Sequence, residues 1–65
     1  MNILIYITIP GKRTEKLVAE VPDTYSYEKI DEHCIDLTEQ KHGKDAIMYC
    51  WVEIPRELAL RWKND

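Results

Sequence analysis

The feature that most constrains this chain is a change of hydrophobic period along its 65 residues. Residues 2–9 and 15–21 alternate or run apolar, residues 26–42 repeat at three- and four-residue steps, and residues 46–54 return to alternation. Alternation belongs to strands and the helical repeat to helices. The order predicts an α+β fold: a small ββαβ layer in one domain, residues 1–65, with a three-stranded sheet and one helix packed on one face. A chain of this size buries only about 60% of the surface its unfolded form exposes. Every apolar contact therefore matters, and pairing into a homodimer is one way to gain more.

In the first strand Ile3, Ile5, Ile7 and Ile9 point inward, with Leu4, Tyr6 and Thr8 outward. Pro10 and Gly11 suit the two central positions of a type II turn, and Leu17, Ala19 and Val21 continue the inward face. Thr24 or Ser26 caps the helix, Tyr27, Ile30, Cys34, Leu37 and the stem of Lys41 form its core stripe, and Gly43 ends it. In the third strand, strict alternation turns Ala46, Met48, Cys50, Val52 and Ile54 toward the helix and Ile47, Tyr49, Trp51 and Glu53 away. The tail reads as a short helix from Pro55 through the strong helix formers Leu58, Ala59, Leu60 and Arg61, although Leu58, Leu60 and Trp62 also alternate as in a strand.

The sequence offers little for chemistry. His33, Cys34, His42 and Cys50 have metal-ligating atoms, but adjacent His33 and Cys34 diverge by about 100° on a helix and no paired-cysteine knuckle occurs. Buried free thiols and surface histidines account for them, and Cys34 and Cys50 share the predicted core side. Asp31, Glu32 and His33 are consecutive, so a helix splays them instead of converging them on one reacting atom. The only glycines, Gly11 and Gly43, have turn roles and leave no phosphate-binding loop. No catalytic residue, metal or cofactor is assigned, and the reading is non-enzymatic.

Nine Lys and Arg against twelve Asp and Glu give a net charge of −3, which favours a basic protein partner and disfavours broad nucleic-acid binding. Two cysteines without a disulfide pattern fit a reducing, cytoplasmic setting. The opening run MNILIYITIP is too short to cross a membrane and reads as a strand, so no membrane partner is expected.

Two surfaces are better suited to contact. Glu28, Asp31, Glu32, Asp36 and Glu39 cluster opposite the core stripe with Ile35 in their midst, an apolar centre with an acidic rim that suits protein binding. On the outer sheet face Leu4, Tyr6, Val18, Ile47, Tyr49 and Trp51 form an aromatic-rich patch. The tail can cover it with Leu58 and Trp62; otherwise Tyr6, Tyr49, Trp51 and Trp62 form a partner interface or dimer seam. The same aromatics, with Lys12, Arg13 and Lys16 nearby, allow single-stranded nucleic-acid binding as the alternative.

In size, acidity and ββαβ outline the whole chain resembles the small accessory proteins of phages and other mobile elements, including anti-CRISPR proteins. The resemblance rests on outline and charge, without a motif. It implies a non-catalytic inhibitor that occludes a host protein or nuclease complex sterically and electrostatically.

Overall fold

In the computed structural model, which describes residues 1–63, the elements are β1 (Asn2–Thr8), β2 (Glu15–Glu20), α1 (Tyr27–His42), β3 (Ile47–Ile54) and α2 (Arg56–Lys63). The strands form one antiparallel sheet in the order β2-β1-β3. β1 takes the centre, and its Ile3, Leu4, Ile5 and Ile7 are all buried. A strand apolar on both sides must be covered on both sides. Accordingly α1 packs on the face of Ile3, Ile5 and Ile7, while Ala59 of α2 packs with Leu4 and Ile54 on the other. The tail is thus a helix, and it forms a third layer.

Local signals end the elements as their chemistry dictates. Lys12 N–H donates to the Ile9 carbonyl at 3.0 Å, closing a turn in which Gly11 has φ +77°, the positive value a type II turn requires at that position. Ser26 Oγ accepts from Lys29 N–H at 3.3 Å and caps α1. Gly43, at φ +87°, closes the other end by donating its N–H to the Glu39 carbonyl at 2.8 Å. The Met1 ammonium donates to the Val21 carbonyl at 2.9 Å and pairs with Asp23 at 2.8 Å, tying the start of β1 to the exit of β2.

The core stripe of α1 is rotated from the predicted one. Ile30, Cys34 and Thr38 are its buried residues, and Leu37 is half-buried. Tyr27 is 76% exposed and Lys41 is also exposed, so neither belongs to the core. Thr38 joins the stripe because its hydroxyl donates to the Cys34 carbonyl at 2.7 Å, which satisfies its one buried side-chain polar atom.

The largest correction concerns β3. Tyr6 pairs with Cys50 but Ile7 pairs with Met48, so Tyr49 is an extra residue, a β-bulge. One inserted residue inverts every later side chain. Met48 stays on the α1 face as predicted. Beyond the bulge Trp51 and Glu53 pair with Ile5 and Ile3 on that same face, while Cys50, Val52 and Ile54 pair with Tyr6, Leu4 and Asn2 on the outer one. The inversion supplies Ile54 to the cluster beneath α2 and brings Trp51 against α1.

Candidate contact surfaces

The bulge separates the four aromatics predicted to share the outer face. Trp51 lies against α1: its Nε1 donates to Asp31 Oδ1 at 2.5 Å, and its ring meets that of Tyr27 with centroids 5.8 Å apart. Tyr6 and Tyr49 remain outside with Thr8, Thr14 and Cys50, lining an open hollow of about 270 Å³. Trp62 shares a neighbouring hollow of about 300 Å³ with Leu4, Lys16, Val18 and Lys63. α2 therefore covers the half of the outer face around Leu4 and Ile54 and leaves the half around Tyr6 open. Trp51 and Tyr6 therefore lie on opposite faces of the sheet and do not form one continuous patch.

On α1 the acidic residues Glu28, Asp31, Glu32, Asp36 and Glu39 are all exposed, and Ile35 among them is 52% exposed. Asp31 differs from the others because its carboxylate holds Trp51. The remaining four have no ion-pair partner among the described residues, where the one salt bridge joins Met1 and Asp23. Their charge is therefore presented to solvent without local compensation. Ile35 follows Asp31 by one helical turn, so this surface adjoins the flank of α1 that meets β3.

Sequence reasoning missed two properties of these surfaces. β3 is a sheet edge along its whole length, with Ile47, Tyr49 and Val52 exposed, because β1 occupies the centre. Charge is also segregated across the sheet. α1 carries five acids against Lys29 and Lys41, whereas α2 and the outward-facing charged side chains of β2 carry Lys16, Arg56, Arg61 and Lys63 against Glu20 and Glu57. Even spacing of charges along the chain hides this polarity until the layers are assigned.

The residues weighed for chemistry disperse. Cys34 is buried under α1 and Cys50 lies on the opposite side of the sheet, so the two cannot form a disulfide within this fold. Burial pushes the Cys34 thiol up to about 11, with the Asp31 charge adding to the rise. His33 is half-buried, with its ring edge-on to Tyr25 at 6.2 Å between centroids, and is not the surface residue expected. Among the described residues no three His, Cys, Asp or Glu side chains gather to hold a metal ion, and no helix is long and apolar enough to cross a membrane.

No protein-family model matches the chain, and no curated protein or solved structure matches it.

Proposed function

We propose that this chain is a non-catalytic protein-binding module whose contact surface is the outward face of α1, centred on Ile35 and rimmed by Glu28, Glu32, Asp36 and Glu39. The observation that carries this reading is that Ile35 is 52% exposed amid four carboxylates that have no ion-pair partner among the described residues. An apolar centre supplies burial, and the charged rim steers a basic partner into place. The partner is a protein with a basic surface. A nuclease complex that presents a basic groove fits this chemistry, and a rigid acidic helix seated there blocks the groove without altering any bond. Inhibition by occlusion is thus the form of the reading that the charge pattern favours.

The rim and the centre leave different kinetic signatures. For a partner captured by the wild-type chain, Glu32→Lys with Asp36→Lys slows association at low ionic strength, and added salt narrows the difference. An association rate equal to wild type at low salt rules out the acidic face as the contact surface.

A further inference from the structure

The outer face of the sheet has a chemistry opposite to that of α1. Lys16 Nζ lies over the Tyr6 ring at 5.8 Å from its centroid and also lines the hollow that contains Trp62 and Lys63. Tyr49, 74% exposed, lines the adjoining hollow with Tyr6, Thr8 and Thr14. Beyond Thr14 the connection between β1 and β2 carries Lys12 and Arg13, both exposed. Tyr6, Tyr49 and Trp62 therefore line adjoining hollows on one open stretch of sheet together with Lys16 and Lys63, the connection that leads out of Thr14 adds Lys12 and Arg13, and among the described residues none of these four cations forms a salt bridge.

We propose that this half-sheet binds single-stranded nucleic acid, with bases stacked on Tyr6, Tyr49 and Trp62 and phosphates held by Lys16, Lys63, Lys12 and Arg13. Flat rings beside cations match a polymer that alternates flat bases with anions. A second copy of the chain suits the face less well, because it brings Lys16 and Lys63 against the same positive groups. An acidic protein segment satisfies the lysines but leaves the rings without planar partners. Duplex is disfavoured because its bases are stacked on one another and unavailable to the rings. The net charge of −3 opposes this binding less than its value suggests, because the acids of α1 lie across the sheet from the site while Lys16 and Lys63 lie within it. The site is independent of the protein-binding surface proposed for α1.

The test is fluorescence anisotropy of labelled twelve-nucleotide thymidine and uridine oligomers titrated with the full chain at low salt. Saturable binding that weakens with salt at a slope of about −0.7 per phosphate contacted, for roughly two to four contacts, is expected. Tyr49→Ala, at an exposed side chain and with circular dichroism showing the variant folded, should weaken binding about fivefold or more. Lys16→Glu should weaken it about tenfold or more, whereas Lys29→Glu, the same charge change on α1, should leave it within about twofold. In a Trp51→Phe chain, the remaining Trp62 should be quenched on binding. Absence of binding at millimolar protein overturns the proposal. So does equal weakening by Lys16→Glu and Lys29→Glu, or competition by inorganic polyphosphate as effective per phosphate as by the oligomer, since either result leaves net charge without a stacking site.

Discussion

Trp51 on the edge strand and Asp31 on α1 are joined by a hydrogen bond from the indole Nε1 to the carboxylate, across twenty residues of sequence. The bond is a consequence of the bulge at Tyr49, which turns Trp51 toward the helix. It also removes one carboxylate from the acidic face and makes it structural. Asp31→Ala should cost about 1 kcal/mol, and Trp51→Phe, which removes the donor together with part of the ring that packs against Tyr27, should cost at least as much. In urea denaturation the double variant should cost less than the sum of the two. Simple additivity would show that the bond contributes nothing.

Ile35 and Ile30 lie on nearly opposite sides of α1 and should respond oppositely to change. Ile30 is fully buried beneath Ile3 and Ile5, so Ile30→Ala should cost about 2–5 kcal/mol and threaten so small a fold. Ile35→Asp should cost under about 1 kcal/mol. Thermal unfolding followed by circular dichroism separates the two, and a comparable loss from Ile35→Asp would place Ile35 in the core.

The main features of the fold were legible because they depend on period. Ile3, Ile5 and Ile7 alternate without interruption, Gly43 marks the end of α1 and Thr24 or Ser26 its start, and Pro55 followed by strong helix formers favours a helix in the tail over the strand that Leu58, Leu60 and Trp62 also allow. The bulge was not legible. Cys50, Trp51 and Val52 are all apolar enough to face either way, so alternation carries no contrast where the inversion occurs. The exposed acidic face survived because it depends on helical geometry alone. The grouping of Tyr6 with Trp51 failed because it depended on strand register.

The two cysteines should differ in reactivity. Cys50 is half-buried beside the open hollow, whereas Cys34 is buried with its thiol held up to about 11. With iodoacetamide near pH 8, peptide mapping should find Cys50 modified first and Cys34 only on unfolding. Modification of Cys34 at the rate of Cys50 in folded protein would contradict this packing.

The same burial gives a pH dependence with a definite sign. The Cys34 thiol ionises at a higher pH in the folded chain than its ordinary 9.0, so the unfolded chain loses that proton first. This contribution to stability is complete below about pH 9 and is lost as pH rises toward about 11. Urea midpoints measured across that window should fall in the wild type and fall less in Cys34→Ala. Equal slopes would assign the alkaline loss to other groups.

Ile35 and Leu60 offer the most direct test of the claim that this chain works by contact through α1. They are 52% and 54% exposed and lie on helices on opposite sides of the sheet, so Ile35→Asp and Leu60→Asp impose the same chemical change at matched exposure. The measurement is the quantity of each protein retained from lysate by wild type and by the two variants, once circular dichroism shows both variants folded. The account predicts that at least one protein held by wild type is lost with Ile35→Asp and kept with Leu60→Asp. Equal retention by all three chains, or loss confined to Leu60→Asp, would contradict it.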